Sequence, residues 1–223
     1  MTDLASLFPP GVLWKIAEDW MWETPLCPEE EALIAKAVDK RKREFRAGRN
    51  CAHELFKTAN IHCNALLKGK QREPDWPEGW TGSISHTQGL CVVAIAPLTL
   101  FRSIGLDVEQ ATPLGDDIRS LICSAAEQDR LSRLTLMTGQ DIASQPLDKV
   151  IFSAKESIHK TYFPLNYHTL DFLDARVDIN TGDCSFEATI IKPEPAPKVP
   201  ITTLRGKYCV GQSYLATFIS LEP

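Results

Sequence analysis

No Cys-x-x-Cys pair occurs in this chain, although it carries seven cysteines. The count is odd and the spacing irregular (Cys27, Cys51, Cys63, Cys91, Cys123, Cys184, Cys209). Neither a zinc site nor a disulfide framework is therefore expected; free, mostly buried thiols in a reducing cytoplasm are. No stretch approaches the roughly 18 consecutive apolar residues of a membrane span. The longest apolar run, Leu90 to Ala96, has the length of a buried strand. The segment Met1 to Trp22 lacks a basic region followed by an apolar one, so no signal peptide is expected. Positive charge is not in excess: 24 Lys and Arg face 29 Asp and Glu, a net charge of -5. That argues against a general nucleic-acid binder and leaves room for a local basic pocket. No short-period repeat is present.

What remains is an ordinary globular composition, 43% hydrophobic and 24% charged over 223 residues, enough for one large domain or two small ones. Residues 28–67 read as helical: Pro28 suits a first helical position, Glu29, Glu30 and Glu31 suit the positive end of the dipole, and Leu33, Ile34, Ala37 and Val38 form an apolar stripe. Gly48 is expected to break or bend this segment, with a second helix carrying Cys51, Leu55, Phe56 and Ala59 inward. After a Pro/Gly-rich loop at 74–79 come three strand-like runs, Gly82 to Thr87, Leu90 to Ala96 and Ser103 to Glu109, whose short connections favour antiparallel pairing. The second half follows the same plan. Ser124 to Glu127 is a capping-box pattern. Pro146 to Tyr162 reads as a helix stopped near Pro164. Phe172 to Ile179 and Phe186 to Ile191 read as a hairpin about Asn180–Asp183, the proline-rich 192–200 as a loop, and Tyr208 to Leu221 as a last strand. Each half joins helices to a small antiparallel sheet, so the expected class is α+β.

Four segments offer chemistry. In Ile104-Gly105-Leu106-Asp107-Val108-Glu109 the period of a strand projects Asp107 and Glu109 to one face and Leu106 and Val108 to the core. Two adjacent carboxylates repel unless a proton or cation lies between them, and a hard divalent ion fits; a solvated strand end is the plainer reading. In Phe152-Ser153-Ala154-Lys155-Glu156-Ser157-Ile158-His159-Lys160, Glu156 and Lys160 share a helical face with Phe152, which sets the acid near an apolar wall; otherwise the two form a surface ion pair. Ser85-His86-Thr87 at a strand end can offer hydroxyl, imidazole and backbone donors to an anion. Ser85 and His86 point to opposite faces, against a nucleophile–base pair. Lys40, Arg41, Lys42, Arg43, Arg46 and Arg49, followed by Lys68, Lys70 and Arg72, form either a phosphate site or a solvated face.

Taken in order, these segments resemble the 4′-phosphopantetheinyl transferase superfamily, in its Sfp-like branch and the enterobactin synthetase component D type. The resemblance is carried by Arg41 to Ala52, by Pro74 to Thr87, by Ile104 to Glu109 and by Phe152 to Ser157, the last with Phe152 where many relatives have tryptophan. It spans about residues 41–160; residues 1–27 and 165–223 match in general character only.

The resemblance implies two similar α/β halves about a pseudo-twofold axis, 1–109 and 110–223, with coenzyme A in the cleft between them. It implies Mg2+ held by Asp107, Glu109 and Glu156, and 4′-phosphopantetheine transfer to a carrier-protein serine with release of 3′,5′-ADP. Lys155 and Lys160 would stabilise the departing phosphate. Lys70, Ser85, His86 and Thr87 would hold phosphates of coenzyme A, and Arg41, Arg46 and Arg49 its adenosine end. Glu127 is one candidate for the base that takes the serine proton, with capping as its competing role; Glu156 or a metal-bound water is another. An acidic acyl- or peptidyl-carrier protein is the implied partner, of siderophore, nonribosomal peptide, polyketide or fatty-acid synthesis, and a cytoplasmic monomer the expected state. A metal-dependent phosphohydrolase and a non-catalytic coenzyme A-binding module remain as alternatives.

Overall fold

A computed structural model describes residues 4–69, 71–138, 145–192 and 196–223, with the backbone alone for 135–138. Lys70 and part of the 192–200 loop fall outside these residues. The chain divides into two compact units: Phe8–Ile104 with the last two residues, and Gly105–Leu221 with Leu4–Leu7. Both mix helices with antiparallel sheet, the α+β class of the sequence reading.

In the first unit, strands β1 (Leu13–Ile16), β2 (Trp80–Thr87) and β3 (Leu90–Pro97) form a sheet of order β1-β3-β2. The central position of β3 explains its unbroken apolar run: Cys91 to Ala96 are all 0% exposed. Short helices α1 (Asp19–Glu23) and α2 (Pro28–Ala32) precede α3 (Asp39–Thr58). The inward face of α3 is Ala47, Cys51, Ala52, Leu55 and Phe56, in one core with Met21, Val93 and Ile95.

The helical reading of 28–67, two helices parted at Gly48, is corrected. After α2 the chain runs through tight turns, with Val38 72% exposed, and it leaves helical geometry again after Thr58. Glu30, instead of facing solvent, is buried and pins this departure: its carboxylate accepts from the Leu66 N–H and from Cys27 Sγ and pairs with His53 Nε2. Gly48 does not break α3. It allows a close approach, since a Cβ there would sit 2.9 Å from Ile84 Cγ2.

In the second unit, β4 (Ser103–Gln110), β5 (Ala175–Asn180), β6 (Ser185–Ile190), β7 (Thr203–Val210) and β8 (Tyr214–Leu221) form a sheet of order β4-β8-β7-β6-β5. Strand β4 therefore hydrogen-bonds to β8 and not to β3, contrary to the pairing expected from its short connection. The expected last strand is a hairpin, β7 with β8, and β1 had no signal in the sequence pattern. Helices α4 (Asp116–Ile122), α5 (Ala125–Thr138) and α6 (Leu147–Asn166) belong to this unit. α6 buries Val150, Ile151, Ala154, Ile158 and Tyr162 in one core with Val177, Phe186, Leu215 and Ile219. Pro164 lies in its last turn without ending it; Tyr167, at a left-handed φ of 53°, does so, its N–H bonding the Phe163 carbonyl.

Candidate active site

Strand β4 carries Asp107 and Glu109, and α6 carries Ser153, Glu156 and Lys160 on one helical face toward it. The approach is permitted by Gly105: a Cβ there would collide with the Ser157 carbonyl and with Thr161 Oγ1. Leu106 and Val108 are 0% exposed, as the strand period required. Asp107 is buried too, and its two oxygens are divided. Oδ2 accepts from Ser153 Oγ at 2.8 Å, and Oδ1 from Lys160 Nζ at 2.8 Å. Lys160 also donates to the Leu106 carbonyl at 3.0 Å. The plainer reading of Glu156 and Lys160, a solvent ion pair along the helix, does not hold, because the lysine turns to the strand.

The three acids lie in one another's fields. Burial, then Asp107 and more weakly Glu156, push the Glu109 carboxyl up to about 7, while Lys149 and Lys160 hold it down. Burial and Asp107 likewise raise Glu156, opposed by Lys160. Lys149 Nζ is 3.8 Å from Glu109 Oε2 and 5.2 Å from the centre of the Phe152 ring. The sequence reading missed Lys149, whose position one helical turn before Phe152 was the available signal. Among the described residues no three His, Cys, Asp or Glu side chains stand close enough together to hold a metal ion as they are placed. The chemistry of Asp107, Glu109 and Glu156, if not their spacing, suits a hard cation: all carboxylate oxygen, partly dehydrated, three acids against two lysines. Next to it, Glu156, His159, Leu170, Asp171 and Phe172 line a cavity of about 300 Å3.

Glu127 and Lys155 pair with each other, away from this face. Lys155 Nζ donates to Glu127 Oε2 at 2.9 Å and to the Ile122 carbonyl at 2.7 Å. Glu127 also accepts from the Ser124 N–H at 2.7 Å and from the Val177 N–H at 2.8 Å, and Ser124 Oγ accepts from the Glu127 N–H. This is the capping box foreseen for Ser124–Glu127. Both side chains are buried to within 2% of their surface.

The first unit collects the basic residues, and neighbouring acids divide them. Arg46 forms a two-pronged pair with Glu31 at 2.8 and 2.9 Å, and Arg43 pairs with Glu23. Arg41 Nη1 donates to His86 Nε2 at 2.8 Å. An arginine only donates, so Nε2 carries no proton and Nδ1–H faces Glu44 Oε2, 3.7 Å away. Ser85 is buried and His86 half-buried, on the alternating faces of β2, with Thr87 at its end. Arg49 is 4% exposed and its Nε has no hydrogen-bond partner among the described residues. Burial lowers this guanidinium to about 10, with Arg41 adding to the shift and Glu30 opposing it. Arg49 and Lys68 both stand over the Phe45 ring, at 4.7 and 5.2 Å. Lys68 is lowered by burial and then by Arg41, Arg49 and Arg72. These four cations lie in one another's fields, with Glu44 3.7 Å from Arg41 and Glu30 offsetting part of the charge at Arg49, and Lys68 and Arg72 were part of the basic group read from the sequence.

Comparison with known proteins matches both regions. The family described as the 4′-phosphopantetheinyl transferase N-terminal domain matches residues 29–96, and the 4′-phosphopantetheinyl transferase superfamily matches residues 103–212. The chain is 31% identical to the 4′-phosphopantetheinyl transferase PptT of Mycobacterium tuberculosis, over 99% of this chain and 98% of that protein. The chain belongs to the 4′-phosphopantetheinyl transferase superfamily. A second transferase of that name, Svp of Streptomyces mobaraensis, is 30% identical over 98% of this chain and 89% of its own length. Enterobactin synthase component D of Escherichia coli is 32% identical over 58% of each chain. Similarity to the transferases thus extends through both termini, beyond the motifs at 41–160. As a 4′-phosphopantetheinyl transferase the protein is an enzyme, and among its described residues no helix is long and apolar enough to cross a membrane.

Proposed function

We propose that the protein transfers the 4′-phosphopantetheine arm of coenzyme A to a serine of an apo carrier protein, with Mg2+ held by Asp107, Glu109 and Glu156. The observation that carries this reading is the pairing of Asp107 on β4 with Lys160 on α6 at 2.8 Å, with Glu109 and Glu156 both in the field of Asp107. Bound there, a divalent cation supplies positive charge to the diphosphate and to its leaving oxygen. The serine oxygen attacks the β-phosphorus, the bond to the bridging oxygen breaks, and 3′,5′-ADP departs. Lys160 gives charge, and if needed a proton, to the departing phosphate.

We assign the base to Glu156, through the carboxylate oxygen that the cation leaves free. Glu127 is set aside because both its oxygens already accept bonds from the fold. Lys155, its partner, acts by fixing α5 against α6. Arg41, Arg49, Lys68 and His86 form the phosphate-recognising group, with Ser85 and Thr87 at the adjoining strand end. Arg46 is committed to Glu31 and contributes through it. The cavity beside Glu156 suits the uncharged part of the arm. The exposed Ile118 and Leu121 of α4 offer the carrier an apolar foothold.

Incubation with coenzyme A, Mg2+ and a panel of apo carriers from siderophore, nonribosomal peptide, polyketide and fatty-acid synthesis tests the reading. One carrier should gain the mass of a single phosphopantetheine arm. Hydrolysis of coenzyme A with every carrier unchanged would point instead to a phosphohydrolase.

A further inference from the structure

Three buried hydroxyls run in single file through the second unit to Asp107. Ser157 Oγ lies 2.7 Å from Thr217 Oγ1, Thr217 Oγ1 2.9 Å from Ser153 Oγ, and Ser153 Oγ 2.8 Å from Asp107 Oδ2. All three residues are 0% exposed. Ser153 and Ser157 stand one turn apart on α6, and Thr217 faces them from β8.

A hydroxyl has one proton to donate, and a carboxylate has none. Ser153 therefore donates to Asp107. Its proton is then used, so Thr217 must donate to Ser153. The Thr217 proton is used in turn, so Ser157 must donate to Thr217, sharing its proton with the Thr217 carbonyl at 3.2 Å. Every bond in the file thus points toward Asp107. Donors aligned in one direction polarise one another and strengthen the last bond of the series. The far end is anchored as well, because the Ser157 carbonyl accepts from Thr161 Oγ1 at 2.8 Å.

The geometry points to Ser153 as a positioning residue for Asp107, backed by Thr217 and Ser157. The file holds the Oδ2 edge of the carboxylate and turns the Oδ1 edge to Lys160 and to a divalent cation. This inference rests on the reading of Asp107 as a cation ligand. A plain tie between α6 and β8 would use the same hydroxyls, but it would alter stability and leave cation affinity alone. Groups that orient a ligand in this way change metal affinity by roughly 10- to 100-fold when removed.

The test is Mn2+ binding to the full-length protein, followed by electron paramagnetic resonance without coenzyme A or carrier, alongside thermal melts. Asp107→Asn should abolish the binding. Ser153→Ala should weaken it roughly 10-fold or more. Ser153→Thr, which keeps the hydroxyl, should restore it to near the wild-type value. Thr217→Val, close in volume and lacking the middle hydroxyl, should weaken it by a smaller factor in the same direction. Wild-type affinity in Ser153→Ala, with Asp107→Asn still inactive in binding, would overturn the positioning role and leave the cation site standing. Should Ser153→Ala fail to fold, unchanged affinity in Thr217→Val would overturn the file. Equal Mn2+ binding by wild type and Asp107→Asn would remove the cation-site reading itself.

Discussion

Lys160 Nζ stands 2.8 Å from Asp107 Oδ1 across 53 positions of sequence, and the same ammonium bonds the Leu106 carbonyl. With Lys149, it is one of two counter-ions among three acids. On the proposed reading, a divalent cation entering the cluster would compete with it for Asp107, while the departing phosphate would need its charge. The two roles predict opposite effects for Lys160→Met. Mn2+ should bind more tightly than to wild type, because the competing charge is gone. Transfer should fall by about 100-fold, the scale of losing one charged donor to a transition state. Cation titration and kcat measured on one preparation check both signs.

Glu109 makes the protein's stability depend on pH. Burial first, then Asp107, pushes its carboxyl up to about 7 from the usual 4.5 of a glutamate. Between those values the folded chain binds more protons than the unfolded one, so stability falls as pH rises through the window. The loss amounts to at most about 3 kcal/mol by the linkage of pKa to free energy. Urea melts in chelator from pH 5 to pH 8 should show this decline, and Glu109→Gln should flatten it. Added Mg2+ should restore stability most at the alkaline end.

The acids, the histidine strand and the Phe152 helix were legible from the chain because each is local: a two-residue period, a four-residue spacing, a strand end. So was the capping box at Ser124–Glu127. The fates of the charged groups were not legible, since each depends on a distant partner. Arg46 is indistinguishable from Arg49 in the run on α3, yet one meets Glu31 and the other is buried without a partner for Nε. Strand β4 was placed beside its sequence neighbour because short connections favour hairpins. Its partner β8 lies at the far end of the chain, where no local pattern announces it. Ser153 and Ser157 looked like neutral helix positions; only Thr217, supplied by that same strand, gives them a task.

The Glu127–Lys155 pair should act on stability before chemistry. Both groups are almost wholly buried, and removing one leaves the other uncompensated. Breaking such a pair costs about 3–5 kcal/mol. Lys155→Met should therefore lower the melting temperature strongly. The double variant Lys155→Met/Glu127→Gln should recover part of the loss, since no buried charge remains. Where the double variant folds, it should keep most of its kcat. A loss of kcat as deep as that of Lys160→Met, with the fold intact, would return Glu127 to the catalytic step.

Arg49 gives the sharpest separation of binding from stability. Its guanidinium is 4% exposed, lacks a partner for Nε among the described residues, and is held down to about 10 by burial. Such a group is costly to the free protein and becomes satisfied when a phosphate arrives. Arg49→Met should therefore leave the melting temperature of the ligand-free protein unchanged or raise it. It should also increase KM for coenzyme A by about 10- to 100-fold, the equivalent of the 1.5–3 kcal/mol of a hydrogen bond to a charged group. The kcat should change little, because Arg49 belongs to the basic group and not to the acid cluster. Coenzyme A lacking its 3′-phosphate identifies which phosphate is read. If the 3′-phosphate is the ligand, wild type should discriminate strongly against this analogue and Arg49→Met weakly. A variant that loses kcat while KM and the preference for the 3′-phosphate stay at wild-type values would remove Arg49 from the phosphate site.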